Sequence, residues 1–356
     1  MNMPLYVIDI GARTPLGLHT AASAAAVRAA ISSCSEHPCM IDQAGEPMAA
    51  SMDALLEPEL PCRERMLTML NTAMLEAGQN LAMQDSVKSL PVFLGLPEPR
   101  PGFDESDAHW LTQRVNQSVD LPFKIDRCQA YMSGNSSVLS LIDMAKHEMA
   151  QGLYEACLIS GVESYFHPDT MQWLDDNRQL LGTVSRSGFV PGEGAGASLI
   201  MTPAAAQRSG LKPIALIHNS ATNWETKLIK TQDINLGEAL TQTVRSTVMG
   251  LDLSQQEHIN SIYCDINGER YRGEEWGFAC LKLAHYFDDP TGYWSPADCW
   301  GDMGAASGAL FLGLATQAAQ RGYAAGKRNL LWTGSENGLR AAALLEADVM
   351  PSPYRG

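Results

Sequence analysis

Apolar positions along the chain fall into two kinds of segment that alternate. Residues 5–10 and 91–96 are compact apolar runs that predict strands, and residues 156–163 and 195–202 predict two more. Between them the apolar period changes to that of a helix. Met66, Met69, Leu70, Ala73, Met74 and Ala77 share one face of a predicted helix over 64–77. Val138, Leu141, Ile142, Ala145 and Met149 do the same over 136–151, and the alanine-rich stretch 20–32 predicts a third helix. After a join at 203–212 the theme returns: strands at 213–218 and 261–266, a Gly/Ala-rich buried helix over 304–321, and strands at 329–333 and 340–345. Alternation of this kind predicts an α/β fold in layers. The matching element order predicts two similar halves, 1–205 and 206–356.

Composition narrows the function classes. The 356 residues are 45% apolar, and 25 Lys and Arg stand against 40 Asp and Glu, a net charge of −15. This is globular composition, and its sign argues against nucleic acid as a partner. No run approaches the about 20 apolar residues that cross a membrane. Residues 1–10 carry no basic leader and read as the first strand, which places the expected location in the cytoplasm. The eight cysteines are scattered without a Cys-x-x-Cys pair, so neither a metal site nor a cofactor is expected. Cys157 and Cys264 fall inside apolar strands as small hydrophobes, and His218 reads as a core histidine.

The stretch Arg186-Ser-Gly-Phe-Val-Pro-Gly-Glu-Gly-Ala-Gly196 closely resembles the Gly-Phe-Val-x-Gly-Glu-Gly-Ala-Gly segment of the β-ketoacyl synthases of the thiolase superfamily. Its Gly188, Gly192, Glu193, Gly194 and Gly196 are joined by Gly301 and by Gly334 and Gly338, which resemble the family's two C-terminal glycine turns. Residues 7–17 and 152–163 resemble the opening strand and the strand after the nucleophile helix. The resemblance implies a thiolase-like αβαβα fold of five layers built from two duplicated halves.

It does not extend to the catalytic residues. A decarboxylating condensation needs a thiolate to carry the acyl group and two donors, usually histidines, to stabilise an enolate. At the family's cysteine position the chain has Ser133-Gly134-Asn135-Ser136, so Asn135 replaces the thiol. Asn is a preferred helix N-cap, the role expected of Asn135 here. The two histidine positions hold Asn267 and Asp302, and the family's lysine position holds Ala297. The implied protein is a pseudoenzyme: a homodimer, or a heterodimer with a ketosynthase-like subunit, paired through an edge strand near Val92–Leu96. Its expected role is that of a chain-length-factor-like subunit in fatty-acid or polyketide synthesis, or of an adaptor in another machinery such as secretion. The alternative is an acyltransferase or hydrolase with rewired chemistry, using Ser136 as nucleophile and Asp302 as its partner. Acyl carrier protein is a further expected partner: Arg63, Arg65, Lys124 and Arg127 are candidate contacts, opposed by the acidic net charge.

Overall fold

A computed structural model of the chain describes residues 4–83, 89–118, 120–229, 231 and 233–348. The first series of elements is β1 (Leu5–Arg13), α1 (Thr20–Arg28), the hairpin β2 (Ser35–Ile41) and β3 (Pro47–Ala50), α2 (Cys62–Gly78), β4 (Ser89–Leu96), α3 (Glu105–Asn116), β5 (Lys124–Met132), α4 (Ser137–Ala150), β6 (Ala156–Ser164), α5 (Pro168–Asp176) and β7 (Glu193–Met201). The second is α6 (Pro203–Ser209), β8 (Ala215–Trp224), α7 (Glu238–Val248), β9 (Ser261–Cys264), α8 (Arg270–Leu283), β10 (Tyr293–Trp294), α9 (Ala297–Trp300), α10 (Ser307–Gln320), β11 (Arg328–Gly334) and β12 (Leu339–Glu346).

The strands run in the order β10-β9-β11-β12-β8-β1-β7-β6-β4-β5. The order is two five-strand sets placed back to back. Numbered within its own half, each set reads 3-2-4-5-1 from its outer edge inward. The pairings match as well: β4 is parallel to β5 and β6, as β9 is to β10 and β11, and the remaining pairs in both sets are antiparallel. A short antiparallel contact of Leu5–Val7 with Ala215–Ile217 joins the sets. The duplicated element order thus has a topological counterpart, with the first set ending at Met201 and the second starting at Ala215.

The apolar faces define the layers. Met66, Met69, Leu70, Ala73 and Met74 of α2 are fully buried with the outer face of the first strand set. Leu240, Val244, Trp276 and Leu283 of α7 and α8 cover the second set from its far side. Between the sets lie α4 and α10, whose Val138, Ile142, Leu310 and Ala315 share a core with strands of both halves. Helix, sheet, helix, sheet, helix is the five-layer arrangement.

Two expectations are corrected here. Val92–Leu96 is no edge: it lies in β4, which is paired to β5 on one side and β6 on the other. The edge strand of the first set is β5, whose mixed, partly exposed residues hid it from the apolar pattern. Arg65 belongs to no surface patch. It is fully buried on α2 and grips Glu193 with two N–H groups, Nε at 2.8 Å and Nη2 at 2.5 Å. Glu193 also accepts from the Asp53 backbone N–H at 2.8 Å and the Ser164 hydroxyl at 3.0 Å.

Glu193→Ala leaves the Arg65 charge uncompensated in a dry interior. The expected loss is about 3–5 kcal/mol of unfolding free energy by urea denaturation, with the double change Arg65→Met/Glu193→Leu regaining most of it.

Candidate active-site region

Residues Gly134–Ser136 form a single tight turn at the front of α4, and Gly134 takes the left-handed φ of +59° that this turn requires. Asn267 follows β9, and Asp302 follows α9. The fold brings the side chains of Asn135, Asn267 and Asp302 together. Asp302 is the centre. Its Oδ2 accepts from Asn267 Nδ2 at 2.5 Å. Its Oδ1 accepts from the Gly304 N–H at 2.6 Å, the Tyr165 hydroxyl at 3.2 Å and, at a long 3.5 Å, Asn135 Nδ2. The carboxylate is buried and surrounded by donors.

Asn135 therefore does not cap. No side-chain cap bond closes the turn or α4, and the asparagine turns its amide toward Asp302 instead. Asn135 lies inside the turn, whose N-cap is Ser133, while the N-cap of α4 is Ser136, so it occupies neither capping position.

Ser136 is fully buried and faces elsewhere. Its hydroxyl stands 3.0 Å from the carbonyl oxygens of both Thr333 and Leu339, and its backbone N–H donates to Ser335 Oγ at 2.8 Å. The serine pegs the start of α4 to the β11–β12 turn, and no hydrogen bond links it to Asp302. His218 is half-exposed rather than a core residue, with Nε2 2.9 Å from Glu346.

A cavity of about 60 Å³ lies over Asp302 and Asn135. Ligand sites usually run to roughly 300–1,000 Å³, so this space suits a few waters. Its charges are Glu98, Glu163, Glu269, Asp302 and Glu336 against Arg100 and Arg272. Arg100 pairs with Glu163 at 2.6 Å and lies over the Tyr165 ring. Arg272 pairs with Asp265 at 2.9 Å and Glu269 at 3.2 Å. Gln179 spans Glu336 and Glu269 from the segment after α5. Burial pushes the carboxyls of Glu98, Glu163 and Glu269 above the usual range against the pull of the arginines. Burial likewise raises Asp265 to about 6. No cysteine or histidine lines the cavity. The thiol at the start of α2, Cys62, donates to the Ser164 carbonyl and is pushed up to about 12 by burial.

The glycine motif explains itself at this point. Gly192 N–H donates to the Asp302 carbonyl at 3.0 Å, and Asp302 N–H donates to the Val190 carbonyl at 2.7 Å. A Cβ on Gly192 would lie 2.6 Å from the Trp300 carbonyl oxygen and 2.7 Å from that of Asp302. The segment 190–192 is the template on which residue 302 is laid. The structure brings together Asn135, Asn267 and Asp302, which the sequence named, and adds Arg100, Glu163, Tyr165, Gln179, Arg272 and Glu336, which it did not. A signal existed for one of them: Glu163 is a charge within the last residues of an otherwise apolar strand.

The chain matches no protein-family description and no curated protein by sequence. Solved structures do match it. The ishigamide ketosynthase/chain length factor superposes with a TM-score of 0.79 at 13% identity, over 98% of this chain and 100% of that one. A ketosynthase from module 6 of the bacillaene synthase of Bacillus subtilis 168 gives 0.75 at 13%, over 97% of this chain and 72% of that one. A type II polyketide ketosynthase bound to its acyl carrier protein gives 0.76 at 13%, over 98% and 100%. The chain has the thiolase-like fold of the ketosynthases.

Asp265 provides a pH test. Its carboxyl is raised in the folded state, so its contribution to stability is present below the ordinary value of 3.8 and is lost as pH rises through about 6. The unfolding free energy of Asp265→Asn relative to wild type should therefore rise by roughly 2 kcal/mol between about pH 4 and about pH 7. A difference that does not change with pH would contradict the raised value.

Proposed function

We propose that the chain is a ketosynthase-like protein without condensing activity that serves as a dimeric partner subunit, in the manner of a chain length factor. One observation carries this reading: the three side chains at the positions matched to the family's catalytic residues converge, Asn267 bonding Asp302 closely and Asn135 approaching it at a long 3.5 Å. Asn135 and Asn267 direct their amide donors at Asp302. A condensing site must keep a nucleophile free for the acyl group and donors free for the enolate. Here the nucleophile position holds an amide, the donors are engaged, and a carboxylate opposes the negative charge that an enolate would bring. The five acidic side chains around the cavity also disfavour approach of a malonyl carboxylate.

The partner reading draws on the neighbours and on the edge strand. One neighbour is a ketosynthase/chain length factor. Among the described residues β5 pairs only with β4, so its outer backbone groups are open to a second subunit, either another copy or a ketosynthase-like protein. An acyl carrier protein is the weaker partner. Of the four candidate basic contacts Arg65 is internal, Arg63 lies 3.9 Å from Asp107, and Arg127 lies 3.8 Å from Glu148. A role as adaptor in another machinery such as secretion fits the same inactive site, and no residue of it singles out that machinery. The rewired acyltransferase or hydrolase finds little geometric support, because Ser136 is engaged with main-chain carbonyls. Among the described residues no helix is long and apolar enough to cross a membrane.

Incubation with acyl-CoA or acyl carrier protein should leave the intact mass of the protein unchanged. A stable acyl adduct mapped to Ser136 would overturn the proposal in favour of the serine enzyme.

A thiol placed at the nucleophile position should be sluggish beside Asp302. Iodoacetamide labelling of Asn135→Cys, read at that peptide by mass spectrometry, should be at least about tenfold slower than in Asn135→Cys/Asp302→His, where an imidazole replaces the carboxylate. Equal rates would show that Asp302 does not set the electrostatics of the site.

A further inference from the structure

A groove of about 690 Å³, distinct in its lining from the Asp302 cavity, runs between α8 and the loop that follows β8. Its apolar walls are Leu228, Ile229, Ile234, Phe278 and Leu281. Two of these are strongly exposed for such side chains, Ile234 at 76% and Leu281 at 82%. Single exposed hydrophobics are ordinary, but a contiguous set lining one concavity marks an interaction surface.

The helix wall has an unusual composition. Gly273, Gly277 and Leu281 stand at i, i+4 and i+8 on α8. A Cβ on Gly273 or Gly277 would meet nothing within 4 Å, so among the described residues no packing requires either glycine. Glycine is the poorest helix former after proline, and two of them on an open face weaken the helix with no internal return. What they provide is a flattened i±4 row. The ridge of another helix packs into such a row, and the missing side chains let its backbone come close.

Charge narrows the occupant. The charged residues that line the groove among the described residues are Asp233 and Glu274, both acidic. Arg270 reaches Glu274 from outside at 2.6 Å, an exposed pair of little strength. The whole chain adds to this field with its charge of −15.

We propose that this groove docks an amphipathic α-helix of a partner protein, with the apolar face of that helix on Gly277, Phe278 and Leu281 and basic side chains along its flanks toward Asp233 and Glu274. This is the helix-in-groove mode of recognition. It is independent of the site at Asp302 and holds whether or not that site is inactive.

The probe is a fluorescein-labelled helical peptide with leucines on one face and lysines on the other, titrated into the full-length protein and read by anisotropy. The Leu/Lys peptide should bind at least about tenfold more tightly than the same peptide with glutamates for lysines. Gly277→Trp, which fills the groove, and Leu281→Glu should each weaken binding by about tenfold or more. If the tryptophan variant does not fold, Leu281→Glu carries the test, because the side chain it replaces is already in solvent. Absence of binding by the Leu/Lys peptide would overturn the proposal. So would binding that neither variant changes, since affinity would then come from the acidic surface at large. A concentration-dependent dimer in sedimentation that Leu281→Glu dissociates would assign the groove to a second copy of the chain, and would also overturn it.

Discussion

The bridge between segment 190–192 and residue 302 holds the centre of this molecule together. It consists of two main-chain hydrogen bonds, Gly192 to Asp302 and Asp302 to Val190, made at a distance that excludes any Cβ at position 192. The next residue, Glu193, is clamped by Arg65 of α2, so the start of β7 is tied to the outer helical layer as well. The glycines serve this approach of backbones and not the chemistry of the side chain presented at position 302. The approach of the backbones therefore does not depend on which side chain position 302 presents. The two properties reside in different atoms.

Once a carboxylate stands at position 302, the surroundings must change with it. A buried anion needs donors, and Asn135, Asn267, Tyr165 and the Gly304 N–H supply them. Each donor given to Asp302 is withdrawn from any substrate. Asn135, Asn267 and Asp302 thus belong to one hydrogen-bonded group. The outer ring follows the same logic. Glu163 and Glu269 are held by Arg100 and Arg272, and the arginines are themselves buried and pinned by those acids. The result is a tightly paired polar cluster beneath the cavity.

Local patterns revealed the elements whose partners are near in sequence or whose faces are purely apolar. The methionine face of α2, the runs of β6 and β7 and the interior helices α4 and α10 were legible for that reason. Features set by distant residues were not. The expected cap at Asn135 failed because the helix is entered through a tight turn that places Asn135 between the cap positions Ser133 and Ser136, with its amide toward Asp302, 167 positions away. Arg65 looked like a surface cation because its partner Glu193 is 128 positions away. The strand β5 was invisible because an edge strand has no need of an apolar pattern, and its absence left β4 looking like the edge. The three site positions emerged only because glycine turns fix a register, and side chains that project from between those turns could be counted from them.

Duplication explains why the site stands where it does. Each half has a central helix that starts from a tight turn led by a left-handed glycine: Gly134, at φ +59°, before α4, and Gly304, at +40°, before α10. These paired turns pack against each other where the halves meet, so Asn135 from one and Asp302 beside the other face across that junction. Ser136 and Ser335 lock the same place, the hydroxyl of the first against the carbonyls of Thr333 and Leu339 and that of the second donating to the Ser133 carbonyl. A junction of this kind is needed for the halves to hold together even if no reaction takes place there. Structural demand is therefore sufficient to keep the region ordered, and its order is not by itself a sign of catalysis. Among the described residues the outer edge of β5 and the groove on α8 meet no such internal demand, and they are the surfaces on which a function exercised through partners would act.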